Sequence, residues 1–316
     1  MRRTAAAACI VLASTALVAF LASELATDRI AAIQRLWWVP RPPFAAGCAL
    51  LAALALALAW PVRRTRATAM AMLAAAIACL AFAIDRDVGF PRERAAGGFR
   101  VLHWNAAWIS PKVADAAIEA ILAEDADAIV VSNVGQLLFD GRAARVVDRG
   151  YRIHRAGGFA LLARDAVVFA QPLVAADRGA SVSRFELETP AGPLSIEAVD
   201  LPSDPDIGRF QLVGELARQL GSKREAPPDL FVGDFNIPRG SASLRLLAPD
   251  AVDAFRAAGV GLGYTFPRER PWLAIDLALA RPPWRAVRAE ISDPGAGRHR
   301  LQVVDLERAV DDGQRR

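Results

Sequence analysis

Residues 229–236 read Asp-Leu-Phe-Val-Gly-Asp-Phe-Asn, a buried strand that ends in Gly-Asp-Phe-Asn. Asp234 and Asn236 stand two residues apart at its end, so both side chains project to one side. A carboxylate there can activate water or bind a metal, and the neighbouring amide can hold it or a substrate. Taken alone, these four residues also fit a turn closed by an Asx hydrogen bond. The flanking sequence has to choose.

On both sides of this stretch, short apolar runs alternate with helical patterns. Strands are predicted at residues 100–105 and 128–131, with a helix over about 113–123 between them. Further strands are predicted at 151–154, 159–162, 166–170, 183–187, 194–199, 230–232, 275–280 and 301–305. Apolar residues recur every three or four positions in 207–220, which predicts a helix, and 241–247 reads the same way. The inventory is α+β, strand-rich, with helices on the outside. About 210 residues from position 98 onward are ample for one core.

The residues before 98 are of another kind. The 316-residue chain is 54% hydrophobic and 23% charged, with a mean hydropathy of +0.25. That balance excludes a purely soluble protein, a disordered chain and a disulfide-stapled miniprotein. The apolar residues are pooled: 5–21, 44–60 and 67–84 contain no charged residue, and each approaches the ~20 residues that cross a bilayer core. Buried helices of a soluble protein are the plainer alternative, but bounding arginines favour membrane spans over about 5–24, 44–62 and 67–84. The chain then divides into a membrane domain (1–84), a charged Gly/Pro linker (85–97), a strand-rich domain (98–308) and a tail (309–316).

Residues 1–97 carry 11 Lys+Arg against 5 Asp+Glu, and the remainder 27 against 29, so +6 of the net charge flanks the spans and −2 belongs to the C-terminal part. The pI near 9.4 is therefore no sign of a nucleic-acid surface. Arg2, Arg3, Arg63, Arg64 and Arg66 would face the cytoplasm, which predicts a multi-pass protein of the cell (inner) membrane with its C-terminal domain extracytoplasmic. Arg29, Arg35 and Arg41 in the first loop make that bias weak, and a cleaved first span would give the same placement. All three cysteines lie in the spans, so the C-terminal domain, with three histidines and no cysteine, is no candidate for structural zinc.

The order of several short segments carries a resemblance. Residues 100–105 (RVLHWN) end in Trp-Asn, and 127–134 (DAIVVSNV) form a strand that closes on Asn133. Gly233-Asp234-Phe235-Asn236, Tyr264-Thr265-Phe266-Pro267, Ile275-Asp276 and then His299 before a last strand complete the series. In this, residues 98–308 resemble the endonuclease/exonuclease/phosphatase superfamily of deoxyribonuclease-like nucleases, neutral sphingomyelinases and inositol-polyphosphate phosphatases, and the whole chain its bacterial membrane-anchored branch. The resemblance implies a four-layer α/β/β/α sandwich, preceded here by three transmembrane helices, with the site at one end of two packed sheets. It also implies phosphoester hydrolysis with Mg²⁺ or Mn²⁺. Asp234 would activate or orient water, Asn236 would hold the phosphate or the metal shell, and Asn105 would help to place the cation. His299 would face the phosphate, with Asp276 fixing and charging its imidazole.

The departures from the family pattern fall on the same site. Asn133 stands where the family has its metal-binding Glu, and a neutral amide is a far weaker Mg²⁺ ligand. Gly297 and Arg298 stand where a Ser-Asp-His motif has Ser and Asp, and Asp200 (in AVDLP) replaces a central-strand His. Two readings follow. In one, Asp200 and Asp234 supply the carboxylates and Arg298 contacts phosphate in a hydrolase with an altered site. In the other, the domain is a catalytically inactive, membrane-tethered binding or scaffolding module. Membrane lipids around the spans and a phosphoester near the bilayer are the expected partners, and nucleic acid is not favoured. His103 reads as a satisfied core histidine, His154 as a surface one, and Arg142, Arg145, Arg149, Arg152 and Arg155 as a solvated face.

Overall fold

The computed structural model describes residues 2–60, 63–90, 98–107, 109–139, 141–177 and 179–309. Four helices come first: α1 (Arg2–Ala26), α2 (Gln34–Trp37), α3 (Arg41–Ala59) and α4 (Arg63–Asp87). Then follow β1 (Phe99–Asn105), α5 (Pro111–Ala123), β2 (Ala128–Ser132), α6 (Arg142–Asp148), β3 (Arg152–Ala156), β4 (Phe159–Ala163), β5 (Ala166–Asp177), β6 (Ala180–Thr189), β7 (Gly192–Asp200) and α7 (Arg209–Lys223). The remainder is β8 (Leu230–Asp234), α8 (Leu244–Leu247), β9 (Val252–Asp253), α9 (Ala254–Ala258), β10 (Asp276–Ala280), β11 (Trp284–Ser292) and β12 (Leu301–Arg308). The chain separates into two compact units, Met1–Val88 with Pro205–Phe210, and Gly89–Asp204 with Gln211–Arg316.

In the first unit, Thr4–Ala26, Arg41–Ala59 and Thr65–Asp87 are long and apolar enough to cross a membrane. The helices meet through small residues, Ala13, Ala45, Cys48, Ala52, Ala76 and Ala83, which let backbones approach closely. At one end Arg41 binds both carboxylate oxygens of Asp87 and lies 3.9 Å from Glu24, with its guanidinium 4.6 Å from the Trp37 ring. This pairing belongs with α4, which runs to Asp87, three residues past the expected end of the third span. Of the expected linker and tail, residues 91–97 and 310–316 lie outside the described residues.

In the second unit two six-stranded sheets form, ordered β11-β12-β1-β2-β4-β3 and β5-β6-β7-β8-β10-β9. Alternation along each strand builds the layers. Val101, Val130, Leu161, Val304, Phe185, Ile196, Val232 and Ala278 face the space between the sheets. Leu102, Trp104, Ile129 and Val131 face α5 with Ile118 and Ile121, and Val199, Phe231 and Leu277 face α7 with Val213 and Leu216. The result is the α/β/β/α sandwich.

Some elements depart from the sequence expectation for local reasons. The β5–β6 hairpin is longer than predicted because irregular pairing near Pro172 lets it continue. The edge strand β11 escaped the apolar pattern because Arg285 and Arg288 pair with Glu307 and Glu290 and a bulge falls between Ala286 and Arg288. The arginine series is no common solvated face. Arg142 is buried and donates to the carbonyls of Gln136 and Leu137, while Arg145 and Arg149 pair with Asp115 and Glu119 of α5. His154 is half-buried rather than exposed, because β3 pairs with β4.

Register positions the polar residues. β7 and β8 run parallel and β10 antiparallel to β8, so Asp200, Asp234 and Asp276 are direct cross-strand neighbours in one row. In the other sheet Asn105 pairs with Ser132 at the same kind of strand end. Gly233 makes the row possible: a Cβ there would lie 1.9 Å from the Val199 carbonyl oxygen on β7. Gly233→Ala therefore has to push β7 and β8 apart, and is expected to cost more than about 2 kcal/mol, read as a lowered denaturation midpoint of the detergent-solubilised protein.

Candidate active site

The strand ends create a cavity of about 440 Å³ at one end of the sandwich, lined by Asn105, Asn133, Asp200, Asp234, Asn236 and His299, with Phe266 and Arg298 at its side. Seven of the eight residues singled out from the sequence line it; the eighth, Asp276, is fully buried behind His299. Ser203 and Phe266 also line it. No spacing rule points to Ser203, whereas Phe266 lies inside the Tyr264–Pro267 motif.

Each polar group is held by specific partners. Asn105, at the end of β1, donates its amide to Asp234 Oδ2 at 2.9 Å. Its carbonyl accepts from the Ala107 N–H at 2.9 Å and from Asn133 Nδ2 at 3.1 Å. Asn133 also donates to Asp200 Oδ2 at 2.9 Å. Asp234 Oδ1 accepts from the backbone N–H of Asn236 at 2.9 Å, and the Asn236 amide donates to the Leu201 carbonyl at 2.7 Å. Both Asn133 (φ 53°) and Asn236 (φ 46°) adopt the left-handed conformation that asparagine tolerates best among residues with a side chain. Those turns let the chain leave the strands while the amides stay in the cavity.

His299 is fixed on three sides. Its Nδ1 lies 2.9 Å from Asp276 Oδ2, its Nε2 3.7 Å from Asp234 Oδ2, and its ring centroid 4.8 Å from that of Phe266. Its backbone carbonyl accepts from the Trp104 indole at 3.2 Å, and the Asp276 N–H donates to Thr265 Oγ1 at 3.2 Å. Arg298 is exposed, its guanidinium 5.8 Å from the Phe266 ring.

The titration pattern follows from this packing. Burial alone would lower His299, but Asp276, Asp234 and Asp200 raise it to about 9, so it is an imidazolium at neutral pH. Burial also works against the Asp276 carboxylate, yet His299 pulls it below the usual range. Asp234 is pushed up by burial and then by the Asp276 charge. Asp200 is raised to about 6 by burial, with Asp276 adding to the shift and the Asn133 hydrogen bond opposing it. The pattern is one cation pinned to one carboxylate, with two further carboxylates short of positive charge.

Asp234, Asp276 and His299 bring one possible ligand atom each within 4.8 Å of one another. A charged imidazole with Nδ1 engaged is nevertheless a poor ligand. The donors that fit a hard divalent cation are the Asp200 carboxylate and the carbonyl oxygen of exposed Asn133, all-oxygen groups beside carboxylates that such a charge would relieve.

The family model described as the Endonuclease/Exonuclease/phosphatase family matches residues 102–302. An endonuclease/exonuclease/phosphatase from Beutenbergia cavernae is 18% identical, with a TM-score of 0.51 over 68% of this chain and 72% of that one. Another from Bacteroides vulgatus is 18% identical, with a TM-score of 0.50 over 67% of this chain and all (100%) of that one. Humanized D. rerio TDP2 is 12% identical, with a TM-score of 0.51 over 67% of this chain and 100% of that one. At these identities the likeness is one of fold. No curated protein matches the sequence.

Two of the histidines should titrate far apart in histidine-labelled NMR spectra: His299 near 9 and His103, desolvated between the sheets, near 4. Because the His299 pKa is raised on folding, its contribution to stability is fully present below about 6.5, the ordinary imidazole value, and is lost as pH rises through about 9. Asp276→Asn should flatten that loss in thermal melts recorded from pH 6 to 10. An unchanged pH profile would contradict the assigned pairing.

Proposed function

Because the chain belongs to the endonuclease/exonuclease/phosphatase family, we propose that it is a membrane-anchored, divalent-metal-dependent phosphoester hydrolase whose metal-binding carboxylate stands at the end of β7 instead of β2. Members of the superfamily are generally hydrolases, nucleases and phosphatases among them. The observation that carries the reading is the 2.9 Å hydrogen bond from Asn133 to Asp200. It sets a carboxylate from the second sheet beside the position where the family's glutamate is missing, so the charge lost at one strand end is present at the facing one.

In this reading Asp234, its carboxyl made more basic by burial and the neighbouring Asp276 charge and oriented by Asn105 and the Asn236 N–H, takes the proton of the attacking water. Nε2 of the His299 imidazolium donates to a phosphoryl oxygen, with Asp276 holding Nδ1. Exposed Arg298 meets the outer phosphate oxygens. Asp200 and Asn133 would hold Mg²⁺ or Mn²⁺, with Asn105 bracing Asn133. The ion supplies Lewis-acid stabilisation of the charge that spreads over the phosphoryl oxygens. Three spans tether the domain beside a bilayer, which favours a phosphoester at the membrane over nucleic acid. The arginine bias supports an extracytoplasmic domain on the cell (inner) membrane.

A second reading, a non-catalytic binding module, draws on the same hydrogen bonds: Asn105 and Asn133 already satisfy Asp234 and Asp200 within the protein. Calorimetry with Mg²⁺ or Mn²⁺ on the intact protein in detergent separates the two. The hydrolase requires millimolar or tighter binding, weakened about tenfold or more by Asp200→Asn. It also requires phosphodiester or phosphomonoester turnover that falls at least about 100-fold in Asp234→Asn. Absence of both metal binding and turnover in the wild type would support the binding module. Protease treatment of cells stripped of their outer envelope (spheroplasts) should cut the C-terminal domain; cleavage only after lysis would reverse the topology.

A further inference from the structure

Behind the imidazole lies a set of polar side chains that neither the proposed chemistry nor apolar packing uses. His103 and Gln302 stand opposite each other in the β1–β12 ladder, and both are about 1% exposed. Val101 and Val304, which share their strand faces, belong to the core between the sheets, so both side chains point into that layer. Ser132, on the neighbouring strand and fully buried, has its Oγ 2.9 Å from His103 Nε2. Four further atoms here are buried and make no well-aligned hydrogen bond among the described residues: His103 Nδ1, Gln302 Nε2 and Oε1, and Asp276 Oδ1, the Asp276 carboxylate having only the Thr265 hydroxyl as a further neighbour. Native interiors rarely leave one such group unpaired. The Asp276 charge also acts on His103, opposing the desolvation that holds it near 4.

We propose that these atoms enclose an internal water site that locks the second oxygen of Asp276, which makes His103 and Gln302 positioning residues for the Asp276–His299 pair. The donor and acceptor types fit water. Asp276 Oδ1 can only accept, and Gln302 Nε2 can only donate. With the Nε2 proton of His103 given to Ser132, Nδ1 is an acceptor. One water donates to Asp276 Oδ1 and to His103 Nδ1 and accepts from Gln302 Nε2, the usual complement of about three bonds for a buried water; a second serves Gln302 Oε1. A carboxylate held at both oxygens cannot turn away from His299, so Oδ2 stays on Nδ1 and Nε2 stays aimed at the cavity. The water site rests on the burial and missing partners of these atoms; its consequence for turnover rests on the hydrolase reading.

The test uses the intact protein in detergent, with Gln302→Met as an apolar replacement of similar size. A crystal structure that orders internal solvent should place a water within hydrogen-bond distance of Asp276 Oδ1 and Gln302 Nε2. In proton NMR the His299 Nδ1–H should appear far downfield and exchange slowly. In Gln302→Met that water should be gone, the exchange at least tenfold faster, and kcat lowered with KM unchanged. An ordered but dry site in the wild-type crystal overturns the proposal, a result that stands even where the variant does not fold. So does a folded variant with unchanged His299 exchange. A wild type that holds the water but turns over no phosphoester supports the water site and removes the hydrolase reading instead.

Discussion

Three carboxylates, Asp200, Asp234 and Asp276, stand side by side on adjacent strands at one end of the sandwich. Like charges about 5 Å apart repel by roughly 3 kcal/mol per neighbouring pair at an effective dielectric constant near 20. The surrounding residues answer this constraint. His299 neutralises Asp276 and leans toward Asp234, while Asn105, Asn133 and the Asn236 N–H donate to what remains. Such an arrangement weakens the local fold and concentrates negative potential in an open cavity, a familiar exchange of stability for chemistry.

The backbone around the row is equally constrained. Gly233 has no room for a side chain against β7, and two asparagines take left-handed turns at the strand ends. Gly-Asp-Phe-Asn is thus a packing requirement joined to two polar groups: the glycine brings the strands together, the aspartate enters the row, and the asparagine turns the chain while its N–H steadies that aspartate.

Local pattern therefore carried much of the fold. The buried strands β1, β2, β8 and β10 announce themselves by apolar runs, and Asp234, Asp276 and His299 by the motifs around them. Register is different. Asp200 and Asp234 lie 34 positions apart, and nothing near either residue states that they are neighbours in a ladder. That the amide of Asn133 donates to Asp200 is equally unreadable locally, because its partner belongs to the other sheet. His103 reads as a satisfied core histidine, and half of it is: Nε2 meets Ser132 while Nδ1 has no hydrogen-bonding partner among the described residues. The arginines of α6 misled for the same reason, since their acidic partners sit on a different helix.

The bonds from Asn105 to Asp234 and from Asn133 to Asp200 both run from the first sheet to the second. They act as rivets across the mouth of the sandwich, and their acceptors are the groups a visiting molecule would seek. Any guest that claims either carboxylate must share or release a rivet, so occupancy and the mechanical freedom of the two sheets are coupled. Loading the cleft changes how tightly the jaws are fastened.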